Sequence, residues 1–112
     1  MKRGEIFFAM LDATRGSEIQ KNRPVVIVSN DVANRASSLV TVVPLTSSLA
    51  RVFPFEVRLN AEDTGLNKHG KAMAQQVRTL DKGRLGAARR GQVAPDKMLQ
   101  IDAALKLHLA LD

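Results

Sequence analysis

The sequence predicts a mainly β protein: a small, strongly curved barrel covered by one C-terminal helix. Three observations carry that reading. Short segments rich in β-branched and apolar residues recur between Gly, Pro and polar clusters. One of them, Val25 to Val28, is apolar throughout, so both its faces are buried and it is central to the sheet. Behind Pro95, the residues Met98, Ile101, Leu105 and Leu109 fall on one face of an amphipathic helix.

The elements follow in order. Glu5 to Leu11 reads as a first strand, and Val25 to Ser29 as the second. Asp31 to Ser37 forms a short helix with Asn30 or Asp31 as its cap. Leu39 to Thr46 is a third strand, and Pro44, which lacks a ladder donor, marks its end or an edge. Phe53 to Leu59 alternates, with Pro54, Glu56 and Arg58 on its polar face, which predicts a half-exposed strand. Asn60 to Lys71 holds Gly65 and Gly70 among polar residues and reads as a loop. Lys71 to Arg78 is a fifth strand, Leu80 to Leu85 a single helical turn, and Gly86 to Gly91 a basic connection. Pro95 then opens the last helix at its first position, with Asp96 adding negative charge to the first turn.

The chain of 112 residues is sized for one domain spanning 1–112. Lys and Arg number 17 against 11 Asp and Glu, a net charge of +6. That excess favours an anionic partner: nucleic acid, an acidic peptide or an anionic membrane surface. With no cysteine, disulfides and thiolate metal sites are excluded. No apolar run approaches a membrane span, and no signal-peptide stretch follows the basic N-terminus, so a cytoplasmic protein is expected. The aromatic content is Phe7, Phe8, Phe53 and Phe55 alone. Base stacking on aromatic platforms is therefore limited, and backbone charge and hydrogen bonds must carry any RNA binding.

Chemistry is concentrated between Thr14 and Asn30. A polar loop with Arg15, Ser17, Glu18, Lys21 and Asn22 leads through Arg23-Pro24 into the buried run. Pro24 biases Arg23 to an extended backbone, and its guanidinium can fork onto phosphate oxygens or form a surface ion pair. Thr46, ending the third strand, offers a hydroxyl to a phosphate or to its own backbone. His69 reads as an exposed loop side chain and His108 as one packed beside the apolar face of the last helix. Neither has the carboxylate spacing of a metal site, and no Ser–His, P-loop or dinucleotide pattern is present.

Five fragments in order resemble one family: Arg15-Gly-Ser-Glu18, Arg23-Pro-Val-Val-Ile-Val-Ser29, Val43-Pro-Leu-Thr46, Pro54-Phe-Glu-Val57 and Gln76-Val-Arg-Thr79. Val93-Ala-Pro-Asp96 extends the match towards the C-terminus. Together they resemble the MazF/PemK toxin endoribonucleases. The resemblance implies an SH3-like barrel, a homodimer, and cofactor-free, metal-independent cleavage of single-stranded RNA that inhibits translation and arrests growth. It also implies a partner antitoxin with an acidic, disordered inhibitory segment. The reaction is attack by a ribose 2′-OH on the adjacent phosphate, leaving a 2′,3′-cyclic phosphate and a 5′-OH.

Carried over by position, Arg23 matches the family's catalytic arginine and Thr46 its catalytic threonine. Arg23 can neutralise the phosphorane and Thr46 can hydrogen-bond an equatorial oxygen. Arginine holds its proton too tightly to be a good base, so Glu18 of the Gly-Ser-Glu pattern is the better general base. Ser17 and Gln76 match RNA-contacting positions. Arg15, Arg78, Lys68 and Lys71 are candidates for backbone contacts. The chain departs from the family pattern at Phe8, where many relatives carry tryptophan, and at Gln75, which often has an acidic counterpart.

Two other functions fit the same residues less well. A CcdB-like toxin of this fold would poison DNA gyrase and leave RNA intact. A non-catalytic RNA-binding barrel would bind with strong salt dependence and yield no cyclic phosphate.

Overall fold

The computed structural model describes residues 1–11 and 21–112. Seven antiparallel strands and a C-terminal helix form a half-barrel, the mainly β fold with a terminal helix that the sequence predicts. The strands are β1 (Glu5–Leu11), β2 (Lys21–Ile27), β3 (Leu39–Thr46), β4 (Glu56–Leu59), β5 (Gly70–Met73), β6 (Arg78–Asp81) and β7 (Gly91–Gln92). The helices are α1 (Asp31–Ala36), α2 (Ala61–Thr64) and α3 (Pro95–Leu109). Along the sheet the order is β4-β5-β3-β2-β1-β7, and β6 also pairs with β3. No helix among the described residues is long and apolar enough to cross a membrane.

The uniform apolarity of β2 has a direct cause. Successive side chains of a strand point to opposite faces, and here each face has its own core. Ile6, Val26, Val43 and Leu45 join Val57, Leu59, Val93, Ile101 and Ala104 in the cluster that α3 covers. Phe7, Ala9, Val25, Ile27, Val40 and Val42 join Leu80 and Leu85 on the other side. A strand between two cores has no face left for polar residues.

β1, β3 and α1 fall where the sequence predicts them, and Asn30 caps α1 by accepting from the Ala33 N–H at 2.8 Å. β2, in contrast, starts at Lys21 and ends at Ile27, so Asn22, Arg23 and Pro24 lie inside a strand rather than in a loop. The β1 partner supplies the reason, since Arg23 pairs with Ala9 and Pro24 with Phe8. The β2–β3 ladder runs only from Ile27–Val42 to Val25–Pro44, leaving Pro24 just past its end, where no donor is needed.

Pro44 does not end β3. It sits where β3 changes partners: β6 pairs with Leu39 to Val42, and β5 with Leu45 and Thr46. Between those ladders the register jumps by three residues, taken up by a 3-10 turn at Ala74–Gln76. The expected fifth strand over Lys71 to Arg78 is therefore two strands joined by that turn. The expected helical turn over Leu80 to Leu85 is shorter, a 3-10 turn at Lys82–Arg84, because Leu80 belongs to β6.

The fourth strand is also shorter than expected, beginning at Glu56 behind a turn closed by Glu56 N–H to the Phe53 carbonyl at 2.9 Å. Glu56 is buried, against the alternation that placed it outward; Arg58 alone of that strand is exposed. The loop over Asn60 to Lys71 contains α2, which Asp63 secures by accepting the Asn60 N–H at 2.8 Å. It ends at Gly65, whose φ of 79° suits a residue without a Cβ. β7 lies at the end of the basic connection. In α3, Pro95 occupies the first turn and Ile101 and Ala104 are buried. Met98 and Leu105 are half-buried, whereas Leu109 is exposed, so the apolar face ends before the helix does. His108 is exposed as well, its ring 6.1 Å from the Phe55 ring and tilted 49° to it, instead of packing beside the apolar face of the helix as expected.

Candidate functional site

A groove of about 730 Å³ opens at one end of the sheet. Phe8 of β1 and Asn22, Arg23 and Pro24 of β2 form one side. Leu45 and Thr46 of β3, with Ser47 and Ser48 beyond, form the floor. The segment from Thr64 to Lys71 makes the opposite wall, and Arg90 closes a corner. Arg23, Lys68 and Arg90 bring positive charge to this groove, and no carboxylate is found among its described lining residues.

The strands explain why Arg23 and Thr46 meet here. Val25 and Pro44 form the last pair of the β2–β3 ladder. Arg23 and Thr46 lie two residues beyond it on the two antiparallel strands, so pleating returns both to one face. Both are half-buried. Arg23 forms an ion pair with no carboxylate among the described residues. Thr46 Oγ1 accepts from the Ser48 N–H at 3.3 Å, which leaves its own proton free to donate. The backbone behind it is tight: a Cβ on Gly70 would stand 2.5 Å from the Thr46 carbonyl oxygen, so only glycine fits there.

Lys71, the cross-strand neighbour of Thr46, is committed to a buried network. Its Nζ donates to Glu56 Oε1 at 2.9 Å and to the Arg51 carbonyl. Glu56 also accepts from the Phe53 N–H at 3.0 Å and from Gln75 Nε2 at 2.6 Å. Burial pushes the Glu56 carboxyl up, but those hydrogen bonds and the Lys71 charge outweigh it and hold the group below its ordinary range. The Lys71 ammonium is thus a support for the groove wall, with its charge met by Glu56.

Of the other sequence candidates, Arg15, Ser17 and Glu18 lie outside the described residues. Gln76 is exposed on the 3-10 turn, its Nε2 3.7 Å from Met73 Sδ, and Arg78 pairs with Val42 in β6. Neither lines the groove. Lys68 and His69 do, and His69 Nδ1 accepts the Ala61 N–H at 3.1 Å. Phe8, which the resemblance sets close to the RNA groove, does line it, whereas sequence reasoning missed Arg90 as a groove residue. The basic pair before Gly91 was visible, but the return of β7 alongside β1 was not. Among the described residues, no three His, Asp or Glu side chains gather to hold a metal.

Residues 2–109 match the family of PemK-like, MazF-like toxins of type II toxin-antitoxin systems. The chain is 47% identical to the endoribonuclease MazF9 of Mycobacterium tuberculosis, across 99% of this chain and 98% of that protein. It is 33% identical to the endoribonuclease EndoA of Bacillus subtilis, across 99% and 96%. Among solved structures, an endoribonuclease in complex with its cognate antitoxin from mycobacterial species superposes with a TM-score of 0.81. That pair is 32% identical, and the match covers 100% of this chain and 97% of the other.

Proposed function

The chain belongs to the PemK-like, MazF-like toxins of type II toxin-antitoxin systems, and from that premise we propose that it cuts single-stranded RNA in the groove beside Arg23 and Thr46. The observation that carries the proposal is the convergence of a half-buried arginine, unpaired with any described carboxylate, and a threonine with a free proton in one cationic groove. The endoribonucleases MazF9 and EndoA, to which the chain is similar, support the substrate class.

The reaction breaks one bond and makes one. A ribose 2′ oxygen attacks the adjacent phosphorus, and Glu18 takes the 2′ proton as general base. Arg23 and Thr46 hold the charge that builds on the non-bridging oxygens. The bond to the 5′ oxygen breaks, and that oxygen takes its proton from Arg23, which regains one from solvent as Glu18 releases its own. The products are a 2′,3′-cyclic phosphate and a 5′-OH. The nucleophile belongs to the substrate, so no metal-activated water is needed, and DNA, lacking the 2′-OH, is not cut. The toxin acts as a homodimer, its cutting of messenger RNA blocks translation, and a cognate antitoxin with an acidic segment restrains it.

The test is incubation with a long RNA in EDTA, with end-group analysis and mapping of the cuts. Cyclic phosphate ends at a short recurring sequence are expected. Loss of cleavage in EDTA would overturn the mechanism. Intact RNA with altered DNA supercoiling would favour the gyrase-poisoning alternative. Glu18→Gln is expected to lower the rate and change its pH profile. An unchanged profile, with Arg23→Ala inactive, would move the base away from Glu18.

A further inference from the structure

Arg90 stands 4.9 Å over the Phe8 ring, and both residues line the groove. This is a built arrangement. The Arg90 N–H donates to the Ile6 carbonyl at 2.7 Å, which fixes the backbone beside β1. Phe8 pairs across the sheet with Pro24, the residue after Arg23, so the stacked pair flanks the proposed catalytic arginine. The adjacent arginine is used differently: Arg89 reaches the Glu5 carboxylate at 3.5 Å and Gln92 Oε1 at 2.9 Å. Arg90 forms an ion pair with no carboxylate among the described residues. A guanidinium held over an aromatic ring by its charge still has N–H groups to donate, and these can match two phosphate oxygens.

We propose that Arg90, held over Phe8, binds an RNA backbone phosphate flanking the scissile one. This rests on the RNA-cutting reading of the groove and names a further substrate contact within it. Phe8 is a positioning residue: it fixes where the Arg90 charge sits and does not itself contact the phosphate. The exposed Arg90 charge favours a phosphate over an acidic peptide, because the same groove holds Arg23 and Thr46, the pair proposed to act on phosphate.

The experiment first maps a cut site with the wild-type protein. Binding is then measured by fluorescence anisotropy on a labelled oligonucleotide of that sequence, with deoxyribose at the scissile nucleotide so that it is not cut. Arg90→Ala is expected to weaken binding by about tenfold. It should also flatten the dependence of log affinity on log salt by about 0.7, one phosphate contact on a single strand. Arg90→Lys should restore the salt slope but not the full affinity. Phe8→Leu should weaken binding while keeping the slope, because the charge remains and only its placement is lost.

Wild-type affinity and slope in Arg90→Ala would overturn the proposal. So would intact RNA binding with lost affinity for a glutamate-rich peptide, which would assign Arg90 to a protein partner. If the wild-type protein neither cuts nor binds RNA, the groove reading itself fails, and that shows before any variant is made. Matching thermal midpoints for Arg90→Ala and wild type separate a lost contact from a lost fold.

Discussion

Replacing Glu56 by glutamine removes one charge and almost no volume, and it should cost more stability than most surface truncations. The side chains of Glu56 and Lys71 are only 2% and 9% exposed. Lys71, the Phe53 N–H and Gln75 all donate to the Glu56 carboxylate. An amide there has one acceptor oxygen where three donors converge, and its NH2 faces another donor. The Lys71 ammonium is left buried without a counter-charge. Breaking a buried pair in this way costs about 3–5 kcal/mol. A small domain is stable by about 5–15 kcal/mol. At ~4 °C per kcal/mol the melting point falls by about 12–20 °C. Urea and thermal unfolding at neutral pH measure this directly. Combining Glu56→Gln with Lys71→Met should recover a large part of the loss, since no unpaired charge then remains. The pH dependence has a definite sign. The native Glu56 carboxyl is held below its ordinary value of 4.5, so the unfolded chain binds the proton first. Its stabilisation is complete above that value and fades as pH falls through the lower native one. Glu56→Gln should flatten that acid limb. A loss below about 1 kcal/mol, or an unchanged acid limb, would refute the account of the network.

Four further outcomes follow from the geometry. Thr46→Val keeps the shape of a half-buried side chain but removes the donor, and should lower the RNA cleavage rate by about 100-fold with unfolding unchanged. Gly70→Ala would place a Cβ 2.5 Å from the Thr46 carbonyl oxygen, so β5 must shift; cleavage should fall along with the melting point. Ile101→Ala empties a fully buried site beneath α3 and should cost about 2–5 kcal/mol in urea unfolding. Leu99→Ala, at a residue 70% exposed on the same helix, should stay within about 0.5 kcal/mol.

Much of the fold was legible because the relevant signals are local. The apolar run at Val25, the β-branched residues from Leu39 to Thr46 and the Pro95 helix start each carry their own pattern. What escaped were features decided by a partner. Glu56 reads as solvent-facing by alternation, yet Lys71, fifteen residues later, makes its burial tolerable. The split of the expected fifth strand follows from Pro44 on a different strand. β7 is two residues long and exists only because Gly91 and Gln92 meet Ile6 and Glu5. The candidate site divides in the same way. Arg23 and Thr46 could be picked out by chemistry and resemblance, whereas Arg90 is a groove residue only because the chain returns to β1 just before α3.

Pro44 links the fold to the site. A β3 with a full set of donors could keep one partner along its whole edge. Instead, the missing N–H falls where β6 stops and β5 begins, and the 3-10 turn at Ala74–Gln76 absorbs the register jump. The last two residues of β3 are thereby paired with β5, which sets Thr46 opposite Lys71 and beneath Gly70. On its other edge, the ladder to β2 ends at the same proline, which leaves Arg23 and Thr46 just beyond the last paired residues. Groups beyond a ladder's end have no strand competing for the space between them. The groove therefore opens where β3 loses one neighbour and changes the other, and a single residue without a donor sits at both events.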